Sequence, residues 1–128
     1  MNKEYKKLFN DPFLNWLLVI AIVTIIFSFS SMQWEELEEN AEEIVELPDF
    51  VLHFIAYFVL GLSLFRALYI SGLKKAALVA IILGTLYGLS DEIHQIFTER
   101  TFSLIDLLVD FIAVSVAQIG KFKKIFLK

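Results

Sequence analysis

The segment Gly88-Leu89-Ser90-Asp91-Glu92-Ile93-His94-Gln95-Ile96-Phe97 sets Asp91, Glu92, His94 and Gln95 together at the end of an apolar run. Each of these side chains is costly in hydrocarbon, so the cluster needs a reason. Asp91, Glu92 and His94 are groups that exchange protons or bind a cation. His53 and His94 with several carboxylates suit a divalent metal by donor type, although no HExxH or comparably dense motif is present. A His94–carboxylate pair is chemically adequate for acid–base work. No nucleophile motif accompanies it, and with no Cys in the chain thiol chemistry and disulfides are excluded.

The elements that must position these groups are apolar. Of the 128 residues 58% are hydrophobic, with a mean hydropathy of +0.69. An ordinary soluble domain has roughly 45–50%. A membrane crossing needs about 20 mostly apolar residues. Residues 13–32, 50–69, 76–97 and 104–120 meet or approach that length. The expected fold is all-α, an integral membrane four-helix bundle in one domain over residues 1–128. Asp11-Pro12 gives the first span a capping residue and a Pro at the first helical position. Ser71-Gly72 closes the second and Gly120 the fourth. The first span has the basic start of a signal peptide. Its apolar core exceeds the usual ~7–15 residues, so it is expected to be retained.

The basic residues orient the spans. Lys3, Lys6 and Lys7 precede the first, and Arg66, Lys74 and Lys75 flank the turn between the second and third. Lys121, Lys123, Lys124 and Lys128 follow the fourth, which leaves only Arg100 on the other side. The positive-inside rule then puts both termini and the turn between the second and third spans on the cytoplasmic side of a multi-pass membrane protein. Residues 33–49 carry seven Glu between 35 and 46, read as a solvated acidic face, with a short surface helix permitted by Leu37, Ala41 and Ile44. Nucleic acid is not an expected partner, because no basic face with interleaved aromatics appears.

This orientation gathers the polar residues at the outer ends of the spans. The second span brings Asp49, His53 and Tyr57. The third brings Asp91, Glu92, His94 and Gln95, and the fourth Asp106 and Asp110. Arg100 lies in the turn between the last two, beside Glu99. Helical spacing puts Gly84, Gly88, Asp91 and Gln95 on one stripe, His53, Tyr57 and Gly61 on a second, and Asp106, Asp110, Ala113 and Ala117 on a third. Small residues four apart allow close helix approach, so the stripes are expected to face one another around an outward polar cup. Taken singly, each has a structural reading: His53 bonded to a carbonyl, Asp106 as a cap and Arg100 as a partner of Glu99. Five carboxylates beside one guanidinium do not all stay ionised in a poorly hydrated cup. Protons, charged histidines or a bound cation must balance them.

Two segments resemble the VanZ-like family of bacterial membrane proteins. Asp49-Phe50-Val51-Leu52-His53-Phe54-Ile55-Ala56-Tyr57 is similar to the D-K-x-x-H-F-x-x-Y start of that family's second span. Gly88 to Phe97, followed by Arg100, Asp106 and Asp110, resembles its G-x-S-D-E-x-x-Q-x-F, Arg, D-x-x-x-[D/N] run. Phe50 stands where the family usually has Lys, which removes a positive charge from the cup. Thr98-Glu99 is shorter than the usual turn, and Ala113 replaces a common Gly. The resemblance implies an integral protein of the cell envelope, in a family whose namesake is associated with resistance to the lipoglycopeptide teicoplanin.

Four roles are open on these residues. The cup binds or modifies an envelope lipid, a wall precursor or an amphiphilic antibiotic, with Arg100 and His53 toward phosphate and Asp91 and Glu92 toward an amine or metal. Alternatively the chain is a metal-assisted membrane hydrolase, a proton- or ion-coupled transporter, or a structural protein whose polar cluster fixes helix packing. The first is favoured on the resemblance. The partners it implies are membrane lipids, with an amphiphilic antibiotic or cell-wall precursor as further ligands.

Overall fold

A computed structural model describes residues 3–31, 48–98 and 100–119. Among the described residues it has five helices and no strand: α1 (Lys3–Phe9), α2 (Pro12–Ser30), α3 (Asp49–Ile70), α4 (Ala76–Ile96) and α5 (Leu104–Val116). The acidic connection, Glu99, Gly120 and the C-terminal lysines lie outside the described residues.

The starts of α2 and α5 and the end of α3 follow from local chemistry. The Asp11 carboxylate accepts from the Leu14 amide at 3.2 Å, and Pro12 occupies the first turn of α2. Ser103 caps α5 by accepting from the Asp106 amide at 3.1 Å. After α3 the chain reverses at Gly72, whose φ of 87° lies in the left-handed region open to glycine. The Leu73 amide then donates to the Leu68 carbonyl at 3.1 Å and the Gly72 amide to Tyr69 at 2.9 Å. That pair of bonds closes the helix as a Schellman motif.

Three helices, α2, α3 and α4, are long and apolar enough to cross a membrane. At 1.5 Å per residue they run about 28–33 Å, close to the ~30 Å hydrocarbon thickness. The fourth expected span differs. Its helix has 13 residues and reaches only about 20 Å. Residues 117–119 continue in tighter i to i+3 bonds, Gln118 amide to Ser115 and Ile119 amide to Val116. The Gln118 side chain meanwhile takes up the Val114 carbonyl at 3.1 Å and the Gly61 carbonyl at 3.0 Å.

α3 is central and packs against α2, α4 and α5, while α4 also packs against α5. The core contains Leu60, Ala67, Ala80, Ala113 and Val114, all fully buried. The three stripes meet as small-residue crossings. A Cβ added to Gly61 would lie 3.0 Å from the Val114 Cα, and one on Gly84 would lie 2.8 Å from a Val114 methyl. Large apolar side chains such as Phe13, Ile20, Phe29, Leu86, Ile105 and Leu108 remain exposed. An outer surface of that composition suits lipid rather than water.

Candidate functional site

The N-terminal ends of α3 and α5 and the C-terminal end of α4 lie together, and the polar residues fill the space between them. Asp49, His53 and Tyr57 fall one turn apart on α3, as do Asp106 and Asp110 on α5, so each set points the same way. His53 Nδ1 lies 2.9 Å from Asp110 Oδ1. The Tyr57 hydroxyl donates to Asp91 Oδ2 at 3.3 Å. The Ser103 amide donates to Glu92 Oε2 at 2.9 Å, which ties the start of α5 to α4. Gly88 makes room for this layer, since a Cβ there would meet Asp110 Oδ2 at 3.0 Å and the Tyr57 ring at 3.3 Å.

These groups are deeply enclosed. Glu92 and Asp110 are 0% exposed and Asp91 is 4% exposed. Among the described residues, Asp91 Oδ1, Glu92 Oε1 and Asp110 Oδ2 are buried with no hydrogen-bond partner. Each such orphan acceptor costs about 1–3 kcal/mol. Two constellations place one donor atom per residue within 4.8 Å of the others: His53, Glu92 and Asp110, and Asp49, His53 and Asp106. His53 belongs to both.

At the rim, an Arg100 guanidinium nitrogen lies 3.4 Å from Asp49 Oδ2. The Arg100 amide also donates to the Gln95 carbonyl at 3.1 Å, and Gln95 is itself buried. Asp106 is half-buried beside Asp49 and His53.

One residue of the expected cup points elsewhere. His94 Nε2 lies 3.0 Å from the Ser31 hydroxyl, and its ring stacks on Phe27 at 4.6 Å. It faces α2, away from the Glu92 side, because residues two apart on a helix do not share a face. A His94–carboxylate pair, chemically adequate in sequence for acid–base work, is not what the geometry brings together; the imidazole–carboxylate pair in the layer is His53–Asp110. Two single-residue readings also change: His53 bonds a carboxylate rather than a carbonyl, and the cap of α5 is Ser103 rather than Asp106. Arg100 pairs with Asp49, and the Arg100–Glu99 reading lies outside the described residues.

Ser103 is the residue that sequence reasoning passed over, and its signal was present. Ser103-Leu104-Ile105-Asp106 before an apolar run is a capping-box pattern. Tyr87 was also missed. Its hydroxyl donates to the Val23 carbonyl at 2.9 Å, binding α4 to α2 beside the cluster.

Residues 13–120 match the family described as VanZ/LLP1. No curated protein and no solved structure matches the chain.

Proposed function

The chain belongs to the VanZ/LLP1 family, and from that premise we propose that it binds or modifies an envelope lipid, a wall precursor or a lipoglycopeptide through its acidic and imidazole cup. In this reading the protein is a multi-pass protein of the bacterial inner membrane. Both termini are cytoplasmic, α5 enters the bilayer as the fourth element of a helical bundle, and the cup opens outward. The three apolar helices and the distribution of Lys and Arg support that placement.

The observation that carries the proposal is the buried convergence of His53, Asp91, Glu92 and Asp110 from three helices, with three carboxylate oxygens left unpaired. A cluster serving packing alone would satisfy those oxygens, because a half-satisfied buried network is worse than an apolar one. The ligand that suits this layer carries positive charge, as an amine or a metal-bridged phosphate does. Arg100 at the rim already faces Asp49, so the cup is acidic overall.

The test is native mass spectrometry of the protein purified in mild detergent, joined to lipoglycopeptide tolerance of cells. Bound lipid or lipoglycopeptide is expected on the wild type. Tolerance and binding should both fall when Asp91→Asn and Glu92→Gln are introduced together. Unchanged binding and tolerance in that folded double variant would remove the proposal.

A further inference from the structure

We propose that His53, Glu92 and Asp110 form a divalent cation site, and that a first-row ion of the Zn2+ or Mn2+ class is its occupant. The proposal rests on the reading of the cup as a ligand site and names the ligand that the inner layer takes.

The donor set is the first argument. An imidazole nitrogen and two carboxylate oxygens lie within 4.8 Å of one another. Three ligands about 2.0–2.2 Å from one ion stand roughly 3.3–3.8 Å apart, so closure by up to about 1 Å brings all three into reach. Imidazole favours Zn2+ and carboxylate favours Mn2+ among the available ions, and a mixed set accepts either. Three protein ligands also leave at least one position open for water or an incoming oxygen.

Second, Glu92 Oε1 and Asp110 Oδ2 are unpaired acceptors on side chains that are 0% exposed. Their opposite oxygens are already engaged, Glu92 Oε2 by the Ser103 amide and Asp110 Oδ1 by His53. Each carboxylate is thus held in place from one side and left with a lone pair on the other. A chain that oriented these groups only for packing would have no use for the free oxygens.

Charge is the third argument. With His53 neutral, Glu92 and Asp110 together offset a 2+ ion, which removes the cost of two bare carboxylates in a dry layer. The outer grouping of Asp49, His53 and Asp106 is the weaker candidate, because Asp49 is 34% exposed and already paired with Arg100. Its place on the rim suits it to the path by which an ion enters.

The experiment uses the full, untagged chain in mild detergent, stripped with a chelator and titrated separately with Zn2+ and Mn2+. Stoichiometry is read by elemental analysis and native mass spectrometry. One ion per chain is expected for at least one of the two metals. Glu92→Gln and Asp110→Asn should weaken binding by more than about 100-fold, beyond what loss of an outer-shell partner alone costs. His94→Gln should leave binding unchanged, since His94 faces Ser31 and Phe27. Should a cup variant fail to fold, X-ray absorption of the zinc-loaded wild type decides the matter, with one imidazole and oxygen ligands expected at about 2.0–2.1 Å. No stoichiometric uptake, an ion without imidazole ligation, or full affinity in folded Glu92→Gln would each overturn the site. Lipid carried by metal-free protein that takes up no ion overturns this site and leaves the lipid reading standing. An ion bound at these ligands in protein that never carries lipid supports the site and removes the lipid reading.

Discussion

Replacing Glu92 by Gln separates a functional cluster from a structural one, because the two assign opposite signs to its effect on stability. Glu92 is fully enclosed, accepts one bond from the Ser103 amide and leaves Oε1 unpaired. Gln is nearly isosteric and keeps an oxygen for the Ser103 bond. It removes a buried negative charge whose desolvation costs several kcal/mol. It also places an amide donor within a few ångströms of the Asp110 carboxylate, whose donor atom falls within 4.8 Å of that of Glu92. A hydrogen bond to a charged acceptor is worth about 1.5–3 kcal/mol. Against these gains stands any proton or ion that already neutralises the wild-type side chain. The expected net effect is therefore a stabilisation of about 1–2 kcal/mol for metal-free protein, the usual sign when a site trades stability for function. Unfolding in mixed micelles of increasing SDS content, followed by circular dichroism, reads this directly. The same titration with excess Zn2+ should narrow or reverse the difference, because only the wild type gains from binding. A Glu92→Gln protein less stable than metal-free wild type by more than about 1 kcal/mol would refute the reasoning and make the charge a packing element.

Four further outcomes are expected. Gly61→Ala should destabilise by about 1–2 kcal/mol in the same titration: a Cβ 3.0 Å from the Val114 Cα overpacks a backbone crossing, and this outweighs the ~0.5–1 kcal/mol that Ala gains in a helix. Gly72→Ala should cost about 1–2 kcal/mol despite the open space around it, because φ is +87° there. Ser103→Ala should cost about 1 kcal/mol by removing the α5 cap, while the backbone bond from residue 103 to Glu92 survives. The chain has no native Cys, so single cysteines report topology cleanly: Lys74→Cys should resist an impermeant maleimide added to intact cells, and Thr101→Cys should react.

The sequence was most legible where periodicity and caps agree. Asp11-Pro12, Ser71-Gly72 and the lengths of the first three apolar runs place α2, α3 and α4 within two residues of where they lie. The small-residue stripes foretold the tight crossings at Gly61, Gly84 and Gly88, since only Gly and Ala let backbones approach so closely. Residues 104–120 approach the length of a span in sequence, but an apolar run does not reveal that Gln118 turns its amide onto the Gly61 and Val114 carbonyls as α5 ends. Of the cup, Asp91, Glu92 and Asp110 were legible as charges inside apolar runs. The partner of each was not. Whether His53 or His94 meets the carboxylates depends on how far α4 is rotated about its axis, and nothing in residues 88–97 fixes that rotation alone. Tyr87 on Val23 and His94 on Ser31 help set it, and both contacts lie more than sixty residues apart in sequence.

In the proposed membrane placement, the tight reversal at Gly72 bears on how the chain enters the bilayer. Only Ser71 to Lys75 separate α3 from α4, and the reversal is closed by backbone bonds that need no other part of the chain. The two helices can leave the translocon as one hairpin. Alone, α4 would present Asp91 and Glu92 to lipid near its outer end, at a cost below the ~2.5–3.5 kcal/mol of a charged residue at the membrane centre. Delivered with α3, it arrives with the Tyr57 hydroxyl already beside Asp91 and with His53 on the same partner helix. The partition step then sees a largely apolar exterior, and the late arrival of α5 supplies Asp110 and the Ser103 amide to seal the polar seam.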